Sequence, residues 1–168
     1  MSETDRLLAN NDAHVAGVTA ARDSATAGTP APSPLVAVVA CMDARLDPAR
    51  ALGLEAGDAH VIRNAGGVVT DDTIRSLTIS QHLMGTEEIV LVHHTDCAMT
   101  TFSDREVADR IEAETGRQLP FALGAFADID DDVRESIARI KASPFIPRTG
   151  AVRGFVYELD SGRLREVT

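Results

Sequence analysis

The chain has 168 residues, enough for one domain with an arm and too few for two ordinary domains. Hydrophobic residues make up 44% and charged residues 25%, which excludes a disordered chain and a coiled coil. Asp plus Glu outnumber Lys plus Arg by 26 to 16, and there is no Trp and a single Tyr. That balance excludes nucleic acid and anionic membrane as partners of the general surface.

In chain order, Leu7, Leu8, Val15 and Val18 lie among polar residues and predict a helix over residues 3–20. The N-terminus is acidic, without the apolar core of a signal peptide, and no apolar run reaches the length of a membrane helix. The expectation is a soluble cytoplasmic protein. Residues 23–34 are small, polar and Pro-rich, so residues 1–34 read as a helical arm and linker. Residues 35–168 then form the main domain. Residues 35–40 are an apolar, β-branched run without alternation, as in a strand buried on both faces. Similar runs follow at 59–62 and 88–93. Between them Thr70 caps a helix reaching Met84. Further helices are predicted over 103–115, ended by Gly116, and over 130–142, stopped by Ser143-Pro144. A strand over 151–159 turns at Asp160-Ser161-Gly162 into 163–167. The fold class is α/β: a mainly parallel sheet flanked by helices, with a short antiparallel C-terminal edge strand.

The chemistry-bearing residues sit where two predicted strands end. Cys41-Met42-Asp43-Ala44-Arg45 follows the first, and His93-His94-Thr95-Asp96-Cys97 follows the third. In open parallel sheets, sites form beyond the carboxyl ends of strands. Each cysteine alone reads as a small buried hydrophobe. Together, Cys41, His94 and Cys97 make a donor set for zinc with a fourth position open. A helical turn is expected to put His94 and Cys97, three apart, on one face. His93 should point away. Asp43 is expected near the open position, held ionised by Arg45, although such a pair also serves as an ordinary salt bridge. Gly66-Gly67 reads as a tight turn more readily than as an anion cradle, and Asp128 to Asp132 as a helix start and solvated face.

C-x-D-x-R followed after a helix and a strand by H-x-x-C resembles the beta-class carbonic anhydrases. The loop Val61-Ile62-Arg63-Asn64-Ala65-Gly66-Gly67, the stretch 76–99, Ser143 to Pro147 and Val152 to Tyr157 extend the likeness over residues 35–168. The resemblance implies zinc ligation by Cys41, His94 and Cys97 and a catalytic dyad of Asp43 and Arg45. It also implies reversible hydration of carbon dioxide, and a homodimer or dimer-based oligomer with the N-terminal helix packed on the partner. Ala98 stands where the family usually has Gly. Val38 stands where some members carry a Trp in a second bicarbonate pocket. The rival readings are a carbonyl sulfide or carbon disulfide hydrolase on the same scaffold, and a non-catalytic zinc-binding protein. No histidine is assigned as proton shuttle; His60 and His82 are spare candidates.

Overall fold

The computed structural model describes residues 2–20, 31–33 and 35–168. The expected Pro-rich linker lies largely outside the described residues. The elements run α1 (Glu3–Ala20), β1 (Val36–Cys41), α2 (Pro48–Leu52), β2 (Ala59–Asn64), α3 (Asp71–Met84), β3 (Glu88–His94), α4 (Asp104–Thr115), α5 (Ile129–Ala142), β4 (Val152–Tyr157) and β5 (Leu164–Val167). Every predicted strand and helix forms, and most bounds shift by one or two residues. The connection between β1 and β2 holds only the five-residue α2. Asp47 caps its start and Gly53, in the left-handed region, ends it.

The strands lie in the order β2-β1-β3-β4-β5. The first four are mutually parallel, and β5 returns antiparallel to β4. The chain leaves β1 for β2 on one side and then places β3 on the other. The gap between β1 and β3 is therefore the topological switch point, where parallel sheets open a crevice.

One face of the sheet buries Ala37, Val39, Ile89 and Leu91 against Leu77 of α3 and Ile140 of α5. The other buries Val38, Ala40 and Val92 with Leu46, Cys41, Cys97 and Met99. The non-alternating runs thus arise because β1 and β3 are covered on both faces. Beyond α4, the segment at 123–125 has no regular structure. The Asp104 carboxylate accepts the amides of Leu123, Gly124 and Ala125 at 2.7–3.0 Å and fixes it in place. Those backbone donors hold the Asp104 carboxyl below its ordinary value.

Candidate metal centre and its neighbours

Parallel pairing brings Ala40 opposite Val92, so the residues that follow emerge at the same end of the sheet. There the donor atoms of Cys41, His94 and Cys97 all lie within 4.8 Å of one another. All three side chains are buried. Both cysteines are free thiols, with sulfurs 3.9 Å apart. Two sulfurs on one tetrahedral zinc, each at about 2.3 Å, would stand about 3.8 Å apart. Nδ1 of His94 donates to the Thr95 carbonyl at 2.8 Å. Nε2 is buried with no hydrogen-bond partner. A backbone-oriented imidazole with its other nitrogen free is the usual posture of a metal-ligating histidine. The donor set and its spacing fit zinc.

Electrostatics point the same way. The Cys97 thiol hydrogen-bonds the Cys41 sulfur and pulls the Cys41 thiol well below its ordinary value. Cys97 is pushed up, because its proton serves the Cys41 thiolate and a second charge would stand beside the first. A divalent cation stabilises both thiolates.

The turn joining His94 to Cys97 is not helical, contrary to the sequence expectation. His94 ends β3, and Asp96 adopts φ 54°, the one positive φ among the described non-glycine residues. Cys97 precedes a short helical turn, Ala98–Thr100. The left-handed Asp96 folds the chain back so that an extended residue and a loop residue meet. An Asp or Asn at that position is the signal that allows such a reversal.

Asp43 and Arg45 form the expected pair. The Arg45 guanidinium donates to both carboxylate oxygens at 3.0 and 2.7 Å, and its backbone amide adds a third bond at 2.9 Å. The Arg45 side chain holds the Asp43 carboxyl well below the usual carboxylate range. Arg45 also donates to the Asp96 carbonyl, tying the loop after Cys41 to the loop before Cys97. Oδ2 of Asp43 lies 3.7 Å from Nε2 of His94, beside the cluster.

Arg63 was not singled out by the sequence as a functional residue. Its side chain leaves the end of β2 and donates to the carbonyls of Cys41, Asp43 and Leu46 at 2.8–3.0 Å. One guanidinium thus pins the whole turn that carries Cys41, Asp43 and Arg45. Its place two residues before Ala65-Gly66-Gly67, at a strand end, was the available hint. Gly67, at φ +73°, lies against the same turn: a Cβ there would stand 2.9 Å from the Cys41 nitrogen. The glycine pair is a tight turn, as expected.

A cleft of about 330 Å³ opens over the cluster, walled by Met42, Ala44, Ala65, Gly66, Ala98 and Met99 beside Cys41, Asp43 and Cys97. A larger cavity of about 630 Å³ between residues 120–125, α3 and α5 contains none of the cluster. His60 bonds Ser80, and His82 bonds the Phe145 carbonyl; neither lines the cleft.

A mainly parallel α/β sheet with this donor cluster at its switch point has the arrangement of an α/β protein with a candidate metal centre. Residues 36–164 match the carbonic anhydrase family model. Beta-carbonic anhydrase 1 of Mycobacterium tuberculosis is 48% identical over 168 residues, all of this chain and 99% of the relative. A crystal structure of a carbonic anhydrase from Streptococcus mutans superposes with a TM-score of 0.88 at 44% identity, covering 100% of this chain and 99% of the other. A carbon disulfide hydrolase of Acidithiobacillus thiooxidans is 38% identical over 156 residues, 78% of this chain and 71% of the relative. The chain belongs to the beta-class carbonic anhydrases.

The Arg63 clamp generates a prediction. Arg63→Met keeps most of the side-chain bulk and removes three charge-assisted bonds, on the order of 2 kcal/mol of local stability. Amide exchange at Met42 to Leu46 should quicken by about 10-fold or more. Exchange rates equal to those of the unaltered protein would contradict the clamp.

Proposed function

We propose that the chain catalyses the reversible hydration of carbon dioxide to bicarbonate and a proton. Cys41, His94 and Cys97 would hold a zinc ion, with Asp43 and Arg45 as the catalytic dyad. The observation that carries this reading is the meeting of two free thiols and one unpartnered imidazole nitrogen beside an arginine-clamped carboxylate. Bound there, zinc supplies a Lewis acid that makes water nucleophilic near neutral pH.

The residues of the chain do the rest. Arg45 keeps Asp43 anionic and fixed in orientation. Oδ1 of Asp43 is occupied by the Arg45 amide and Nε. Oδ2 takes one Arg45 bond and faces His94, so a lone pair remains for a proton of the reacting water. That hydrogen bond would hold the water for attack on the substrate carbon, where a carbon–oxygen bond forms, a π pair passes to the substrate oxygen and one proton is lost. Met42, Ala44, Ala65, Ala98 and Met99 give the cleft apolar walls, which suit a small linear molecule without charge. The released proton passes to buffer.

Sequence identity supports carbon dioxide over carbon disulfide: beta-carbonic anhydrase 1 of Mycobacterium tuberculosis is 48% identical to the chain, and the carbon disulfide hydrolase of Acidithiobacillus thiooxidans 38%. The clamped carboxylate beside a three-donor cluster favours catalysis over a non-catalytic zinc-binding protein, since structural zinc sites are almost always closed by four protein ligands. No helix among the described residues is long and apolar enough to cross a membrane. Two free buried thiols suit the reducing cytoplasm, which is the location this reading assigns.

The reading includes a homodimer, or a larger oligomer built from dimers. Every described side chain of α1 is exposed, and Leu7 and Leu8 are 57% and 60% exposed. A second copy of the chain would cover them.

In an assay of carbon dioxide hydration, Asp43→Asn should keep its zinc and fold while the rate falls by roughly 10²-fold. The amide preserves shape and loses the charge that Arg45 holds. Near-normal hydration by zinc-loaded Asp43→Asn would reduce the pair to a structural salt bridge. For the assembly, deletion of residues 1–30 should shift sedimentation toward monomer. A dimer of unchanged stability after the deletion would remove α1 from the interface.

A further inference from the structure

His93 precedes His94 on β3, and strand alternation sends the two imidazoles to opposite faces of the sheet. His93 is 1% exposed and takes no part in the donor cluster. Its Nε2 donates to Oδ2 of Asp132 at 2.6 Å, and its Nδ1 is buried without a partner. The ring also lies against Phe126, with centroids 5.7 Å apart. One hydrogen bond and one aromatic contact therefore orient a buried polar ring.

Asp132 behaves differently from its neighbours in the first turn of α5. Asp130 pairs with Arg165, and Asp131 pairs with Arg134. Asp132 alone among the three turns inward, contrary to the expectation of a solvated acidic face. A leucine or phenylalanine at residue 93 would fill core space without needing a carboxylate. A buried polar pair instead fixes one geometry and rejects others.

Two routes lead from His93 to the cleft. The first is the backbone, since His94 is the next residue. The second runs through Phe126. The Phe126 amide donates to the Met99 carbonyl at 3.3 Å. A Cβ at Gly66 would meet the Phe126 ring and the Met99 side chain, each at 3.1 Å. Gly66 and Met99 line the cleft. His93 thus stands behind both a donor residue and the cleft wall.

We propose that His93 and Asp132 are positioning residues for the metal centre. Asp132 anchors His93 to α5, and the anchored ring fixes the end of β3 at His94 and supports Phe126 behind the cleft. This rests on the reading that Cys41, His94 and Cys97 hold zinc.

The test is zinc affinity, measured by competition with a chromophoric chelator well below the unfolding temperature, together with kcat and KM for carbon dioxide hydration. Asp132→Leu removes the acceptor, while Asp132→Asn keeps an amide oxygen for the His93 Nε2 proton. Asp132→Leu should bind zinc about 10-fold more weakly and lower kcat with little change in KM. Asp132→Asn should restore both to within about 3-fold. If Asp132→Leu does not fold, Asp132→Ser, too short to reach the ring, takes its place with the same expectation. Zinc affinity and kcat equal to the unaltered protein in the folded variant, even with a lower Tm, would overturn the proposal. An unaltered protein that binds no zinc would instead overturn the parent reading.

Discussion

Two buried sulfurs 3.9 Å apart, facing a buried imidazole nitrogen with nothing to bond, set the terms for the rest of the molecule. Protons alone satisfy this arrangement poorly. One thiol yields its proton readily because the other donates to it, and the second proton is then held against a neighbouring charge. An ion that accepts both sulfurs and the imidazole nitrogen relieves the repulsion and the unmet lone pair together. The surrounding structure works to keep three donors from three separate positions at that point.

The parallel pairing of β1 with β3 supplies the coarse placement, and a set of polar bonds supplies the fine one. Arg63 grips three carbonyls of the turn after Cys41 from the neighbouring strand. Gly67 lets its backbone lie against the Cys41 nitrogen where a methyl would collide. Arg45 reaches from the first loop to the Asp96 carbonyl of the second while gripping Asp43. The carboxylate proposed to orient the reacting water is therefore held by a group that also joins the two loops. Behind the sheet, Asp132 and His93 brace the end of β3. Orientation in such a site comes from fixed donors and carbonyls, so little rearrangement is left for the reaction itself.

Much of this was legible in the sequence, and the limits are physical. The β-branched runs ending at Cys41 and His94 gave the parallel sheet and the end at which a site should form. The pairing of Asp43 with Arg45 followed from their spacing. A three-residue spacing fits a helix and a tight reversal equally, so the sequence predicts a helical turn between His94 and Cys97 where the chain reverses. Only the left-handed Asp96 decides between them. Arg63 and Asp132 were missed for a different reason. Their partners lie 17–22 and 39 residues away, and nothing in local pattern reports a bond to a distant carbonyl or a distant ring. Asp132 was further hidden inside a run of acids whose other members do face solvent or surface arginines.

The central claim is that the three donors bind one zinc and leave a position for the reacting water. X-ray absorption at the zinc edge of the purified, zinc-loaded protein tests it most directly. The account predicts about one zinc per chain, with two sulfur neighbours near 2.3 Å, one imidazole nitrogen near 2.0–2.1 Å and one lighter oxygen neighbour. A shell made only of oxygen, or a protein that retains no metal after dialysis, would contradict it.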